Sequence, residues 1–245
     1  MAKLWEKYRV PIIAGVSALI LGVGGYQAWS YWRVAQVEKS SREFEAVAEV
    51  LAQPGKEKEA ADRFAKLAVS GTSGYALAAK FQEAGLRSQA GDIKAAVALY
   101  DSISGATGDP LFRDYAQLRA AILIVEKESL DNISKRLEPI TKGSGPWRVQ
   151  ALEILAYASW RGGKSEDALK LYGEVEATTN APNGTLRRAK EMTALIKAGM
   201  KLSDVNAMLA PTIAPGATGP MLLQPTQPTI PEPSSLLGPE QPPTP

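Results

Sequence analysis

The chain contains no cysteine and no histidine among its 245 residues. Without cysteine there is no disulfide, no thiolate nucleophile and no zinc–thiolate site. Without histidine the chain also lacks the commonest general base and the commonest transition-metal ligand. Carboxylate or lysine chemistry stays open in principle, but the helical periodicity brings no pair of carboxylates into a shared cleft. We therefore expect a protein that is not an enzyme and that binds no metal or other cofactor.

The chain also lacks a large excess of charge of either sign, because it has 28 basic and 26 acidic residues. A chain this close to neutral has no bulk attraction for nucleic acid. The expected partners are therefore proteins or a membrane rather than DNA or RNA.

Residues 10–32 form a long uncharged run, VPIIAGVSALILGVGGYQAWSYW. As a helix it would be about 35 Å long, enough to cross a hydrocarbon core of about 30 Å. Tyrosine and tryptophan lie near both ends, as they do at the two interfaces of a bilayer. The run predicts a transmembrane helix after a short N-terminal segment, residues 1–9. A cleaved signal peptide is the alternative, but bulky aromatics stand where a small-x-small cleavage site would be expected.

Small residues recur at three- and four-residue steps along this run. In lipid such a stripe lets a second helix approach closely, although membrane helices are enriched in glycine and alanine in any case. The predicted helix-packing stripe consists of Ala14, Gly15, Ala18, Gly22 and Gly25. Basic residues are equally frequent on the two sides of the run, so they do not fix its orientation.

The rest of the body is predicted to be all-α. Alanine, leucine, glutamate, lysine and glutamine dominate, and no stretch alternates as a strand would. Glycines and prolines divide the body into pieces of about 12 to 20 residues, a normal length for packed helices. We expect membrane-proximal helices over residues 33–74, and helical hairpins with a closing helix over residues 75–200.

Two similar phrases, QAGDIKAAVALY and RGGKSEDALKLY, lie 72 residues apart in the chain. This separation is about two tetratricopeptide units, so a third copy is expected between them. Glycine permits a sharp turn, alanine lets two helices approach, and tyrosine fills the space between adjacent hairpins. These packing roles fall to Ala84, Gly91, Ala96 and Tyr100 in one unit and to Ala156, Gly163, Ala168 and Tyr172 in the other. In the middle copy Glu128, Ile133 and Leu137 stand where glycine, alanine and tyrosine are expected.

The last part of the chain, residues 201–245, contains eleven of the 17 prolines and few charges. Such a segment cannot bury enough apolar surface to fold, so it is predicted to be a disordered tail. It would serve either as a spacer or as a ligand for a groove on a partner.

An apolar anchor followed by GTSGYALAAKFQEAGLRSQAGDIKAAVALYDSI and GSGPWRVQALEILAYASWRGGKSEDALKLY resembles the YfgM-like tetratricopeptide proteins of proteobacteria, ancillary subunits of the SecYEG translocon. The resemblance covers residues 7–200 and omits the proline-rich tail. It implies a single-pass inner-membrane protein with a cytoplasmic N-terminus and a periplasmic body. The implied partners are translocon subunits, a membrane-anchored periplasmic prolyl-isomerase-like chaperone and newly exported proteins. A scaffold for envelope assembly or cell division is the alternative function.

In tetratricopeptide arrays the first helix of each hairpin lines a concave groove. The pattern places Glu153, Tyr157, Trp160 and Arg161 on that face of the last unit. Exposed aromatic residues beside an arginine suit a protein partner. The alternative is that Tyr157 and Trp160 pack beneath the closing helix.

Overall fold

The computed structural model describes the backbone of residues 2–202 and 204 and, within that range, the side chains from residue 19 onward. This part of the chain forms nine helices and no strand, in agreement with the predicted all-α class. The helices are α1 (Ala2–Leu51), α2 (Glu57–Ser70), α3 (Ser73–Gln89), α4 (Ile93–Ala106), α5 (Pro110–Ile124), α6 (Leu130–Thr141), α7 (Arg148–Arg161), α8 (Ser165–Ala177) and α9 (Asn183–Lys197). Consecutive helices pack against each other, and α7 also contacts both α5 and α9. Stacking of this kind makes an α-solenoid of helical hairpins.

The turns at Gly91 and Gly163 end α3 and α7 in the same way. The two glycines have φ angles of 82° and 78°, a left-handed conformation that costs other residues about 1–2 kcal/mol. The N–H of the following residue bonds to the carbonyl five residues back, from Asp92 to Arg87 and from Lys164 to Ser159, both at 2.9 Å. This bond closes the last turn of each helix as a Schellman motif.

The hairpins bury alanines at equivalent positions of both their helices. In the first helices these are Ala84 and Ala156, in the second helices they are Ala96 and Ala168, and all four are fully buried. In the middle copy Ile133 takes the place of the second alanine and Leu137 the place of the tyrosine, and both are fully buried. A larger residue at one site and a smaller residue at the next keep the filled volume similar, which packed interiors require. The middle copy therefore packs like its neighbours although its residues differ.

The repeat also extends beyond the two similar phrases. Left-handed glycines occur at intervals of 36, 72 and 36 residues, at Gly55, Gly91, Gly163 and Gly199. Helix α2 buries Ala60, Phe64 and Leu67, each 36 positions before a buried residue of α4. The end of α1 and the whole of α2 therefore form a first hairpin in the same register, within residues 33–74.

Helix α9 is the last helix in the described part of the chain. Its inner face buries Ala189, Met192 and Ile196 against the cluster that α5 to α9 share. Its outer face carries the exposed charges of Arg187, Lys190, Glu191 and Lys197. Of the predicted tail, residues 203 and 205–245 lie outside the described residues.

The predicted transmembrane segment lies within α1, which continues as one helix over Ala2–Leu51 into the first hairpin. Among the residues whose side chains are described, no helix is long and apolar enough to cross a membrane. The first part of the predicted span, residues 10–18, lies outside those residues.

Candidate partner-binding surfaces

The four residues predicted to line a groove lie on α7. Glu153, Tyr157 and Trp160 are only 4%, 1% and 5% exposed, and Arg161 is half-buried. Helix α7 is enclosed because α5 and α9 both pack against it. The structure therefore places Glu153, Tyr157 and Trp160 in the interior, where the alternative put Tyr157 and Trp160, and leaves Arg161 half-buried.

Glu153 forms a two-bond ion pair with Arg188 of α9. The Nε–Oε1 and Nη2–Oε2 distances are 2.6 and 2.9 Å, and Arg188 also donates to Thr185 Oγ1 at 3.2 Å. Burial raises the pKa of the Glu153 carboxyl, while the hydrogen bond from Arg188 opposes that rise. Two parallel N–H···O bonds favour the charged pair. Both carboxylate oxygens are thus engaged in holding α9 against α7.

Tyr157 and Arg161 contact the loop that joins α5 to α6. The Tyr157 hydroxyl donates to the Glu126 carboxylate. Arg161 donates to the backbone carbonyl of Glu126 at 3.0 Å and to that of Glu128. Burial raises the pKa of the Tyr157 hydroxyl, and the hydrogen bond to the Glu126 carboxylate raises it further. These two side chains therefore fix a loop that no left-handed glycine closes.

Trp160 and Tyr172 also pack in the interior of the array. Trp160 lies in the cluster shared by α5 to α9. The Tyr172 hydroxyl is buried and has no hydrogen-bond partner among the described residues. Burial raises the pKa of Tyr172, and the nearby charge of Glu153 adds to the rise. In the part of the chain that the structure describes, no group of three or more acidic side chains is placed to hold a metal ion.

Part of the predicted helix-packing stripe is open. A Cβ atom built at Gly22 or Gly25 would meet no atom within 4 Å, whereas Ala14, Gly15 and Ala18 lie outside the described side chains. The large apolar residues of this part of α1 are exposed as well, namely Leu19, Ile20, Leu21, Val23, Tyr26, Trp29, Tyr31, Trp32 and Val34. An exposed apolar surface of this size marks contact with lipid or with another protein.

A cavity of about 410 Å³, here called the edge groove, lies where α2 and α4 end and α3 and α5 begin. Its walls are mainly apolar, with Leu77 and Phe112 among them, and Lys80 is its cation. Val69 and Leu111, each next to a lining residue, are 89% and 41% exposed. Outside α1, these two are the exposed large apolar side chains in the described part of the chain.

Stacked hairpins with a shared register define a class of repeat proteins that bind other molecules along an extended surface. The chain matches the family model described as a tetratricopeptide repeat-like domain over residues 3–192. It therefore belongs to that family, which supports a role in protein–protein interaction. The match begins near the start of α1 and so includes residues 10–32 together with the repeats. No curated protein and no solved structure matches the chain.

Proposed function

We propose that the chain is a membrane-anchored, non-catalytic interaction module at the secretion machinery. In this proposal α1 is the single inner-membrane anchor, with its N-terminus in the cytoplasm and the hairpins in the periplasm. The hairpins link the SecYEG translocon to a membrane-anchored prolyl-isomerase-like chaperone and to newly exported proteins.

The exposed apolar surface of α1 carries the proposal. Between residues 19 and 34 apolar and aromatic side chains point outward around the helix, and the rest of the described chain leaves them uncovered. Transfer of apolar surface from water is favourable by about 25 cal/mol per Å², and tyrosine and tryptophan suit a membrane interface. The family match includes this segment together with the repeats, so the proposed anchor and the hairpins lie within one family unit.

Anchoring can be tested with a matched pair of arginine variants. The double variant Ile20→Arg, Leu21→Arg places charge within the apolar run, where each arginine costs about 2.5–3.5 kcal/mol in a membrane helix. Ala98→Arg adds charge at an exposed site of α4. Alkaline extraction should release the double variant from membranes while wild type and Ala98→Arg remain. Release of all three to the same extent would contradict anchoring.

Partners can be tested by cross-linking in intact membranes, followed by affinity purification in detergent. We expect translocon subunits and the periplasmic chaperone to be recovered, and a reporter fused after Met200 to be active in the periplasm. Recovery of neither partner would contradict the translocon role. A band at mid-cell, in place of a uniform rim, would favour the envelope scaffold.

A further inference from the structure

Helix α1 extends past the array at one edge. In the 36-residue register, the first residue of α3, Ser73, corresponds to residue 37 of α1. The Thr72 N–H donates to Ser40 Oγ at 3.1 Å, which places the start of α3 beside this part of α1. Because α1 is unbroken, residues 2–36 project beyond this edge. We call the edge formed by residues 68–74 and 106–112 the proximal edge.

The proximal edge lies close to the end of the apolar run. Trp32 precedes Ser40 by eight residues, which is about 12 Å along a helix axis. The headgroup region on one side of a bilayer extends about 5–7 Å beyond the hydrocarbon core. A helix that crosses the membrane upright at residues 10–32 would therefore hold the proximal edge about 5–7 Å above the headgroups, and the tilt of about 20° that is common for such helices would lower one side of this edge onto them.

The chemistry of this edge differs from that of the rest of the array. Val69 and Leu111 expose apolar side chains there, and each is next in sequence to a residue that lines the edge groove. Within the groove Lys80 has no hydrogen-bond or ion-pair partner among the described residues. Asp109, the acidic residue of the groove lining, accepts the N–H of Leu111 at 2.8 Å as the cap of α5 and forms no ion pair with Lys80. Apolar surface beside an unpaired cation suits an amphiphilic anion.

We propose that the proximal edge docks on the bilayer, with Val69 and Leu111 at the interface and Lys80 paired with the phosphate of an anionic phospholipid. Apolar side chains combined with basic residues bind membrane surfaces in this way. The inference rests on the anchoring part of the proposed function and is independent of the translocon role.

The absence of cysteine allows single labelled sites in the full chain. Val69→Cys, Leu111→Cys and Lys94→Cys each receive the environment-sensitive fluorophore NBD. Lys94 is the matched control, because it lies at the opposite end of α4, about 18 Å along the helix from Ala106. Each protein is incorporated into nanodiscs containing phosphatidylglycerol or phosphatidylcholine alone, with nitroxide lipids as quenchers.

We expect a blue shift and lipid quenching at positions 69 and 111, stronger with phosphatidylglycerol, and neither effect at position 94. Lys80→Glu should abolish the preference for phosphatidylglycerol, whereas Lys94→Glu should preserve it. Equal quenching at all three positions would overturn the proposal, as would an unchanged preference in Lys80→Glu.

Co-elution of chain and nanodisc separates the two proposals. If the chain stays in the disc while positions 69 and 111 remain unquenched, docking fails and anchoring stands. If the chain leaves the disc, both fail. A blue shift without lipid quenching would mean that protein, either a second copy or another partner, covers the edge, and docking on lipid would be overturned.

Discussion

The α7–α8 turn at Gly163 and the α5–α6 loop connect the two helices of their hairpins by different means. At Gly163 the backbone closes the turn locally, through a left-handed glycine and a bond from Lys164 to Ser159. The α5–α6 loop has no left-handed residue, and two of its carbonyls accept hydrogen bonds from Arg161 of the next hairpin. The first turn depends on its own sequence, whereas the second depends on a neighbour. A degenerate repeat can thus keep its shape when adjacent units supply what it lacks.

The largest effect is expected when the middle copy is changed toward the pattern of its neighbours. Ile133→Ala should destabilise the protein by about 3 kcal/mol, because it leaves a cavity at a fully buried site. Leu137→Tyr should cost about 1–3 kcal/mol by overfilling the same region. The double variant should lose less than the sum, since the two sites share one volume. Urea unfolding measures all three, and strict additivity would contradict this account.

Arg161→Ala should cost about 3 kcal/mol, because it removes two hydrogen bonds from a charged donor, each contributing about 1.5 kcal/mol. Arg187→Ala on α9 is the control, since that side chain is 76% exposed and its ion pair with Glu191 is 3.9 Å long. An exposed pair of this kind is worth about 0–1 kcal/mol. Hydrogen exchange should show faster opening of the α5–α6 loop in Arg161→Ala only. Similarly small losses of stability in Arg161→Ala and Arg187→Ala would contradict the dependence of the α5–α6 loop on Arg161.

Gly163→Ala should destabilise the protein by about 1–2 kcal/mol, because alanine is strained at a positive φ. Gly173→Ala is the matched change in the interior of α8, where an added Cβ meets no atom within 4 Å. It should stabilise the protein by about 1 kcal/mol through helix propensity. Thermal unfolding should therefore shift in opposite directions, and shifts of the same sign would show that the turn at Gly163 does not require glycine.

The smallest effect is expected for Tyr172→Phe. At pH 7 the variant should be equal to the wild type or more stable by under about 1 kcal/mol, because no residue in the described part of the chain bonds to the buried hydroxyl. Its raised pKa means that the folded state disfavours the phenolate. The part of the wild-type stability that depends on a neutral Tyr172 is therefore fully present below the unfolded pKa of about 10 and is lost as pH rises above it. The advantage of the variant should therefore grow above about pH 10 in urea unfolding, and a constant difference would contradict the effect of burial.

Much of the array could be predicted because its packing uses residues of extreme size. Gly91, Ala96 and Tyr100 are diagnostic for that reason, and their counterparts 72 residues later repeat them. The hairpin of α1 and α2 was not predicted as a repeat, because Phe64 replaces tyrosine there and Gly55 stands without a similar phrase around it.

The burial of the α7 residues was beyond what periodicity can predict. Periodicity assigns a side chain to one face of a helix, but it does not say what covers that face. The contacts that engage these side chains come from about one repeat away, since Arg188 follows Glu153 by 35 residues and Arg161 follows Glu126 by the same interval. Opposite charges at repeat spacing were therefore an available signal for Glu153 and Arg188, whereas Arg161 binds a backbone carbonyl, which the sequence does not mark.

The end of α9 has a consequence for assembly. The chain leaves α9 through Gly199 in the same left-handed turn that elsewhere leads to a second helix, and Met200 N–H bonds to the Leu195 carbonyl at 3.2 Å. Beyond this turn, Met200 and Leu202 still pack against the cluster that α5 to α9 share. An apolar outer face on α9 would let copies stack head to tail into a filament. The charges on that face mean that α9 does not offer a second copy the apolar contact that continues a solenoid core.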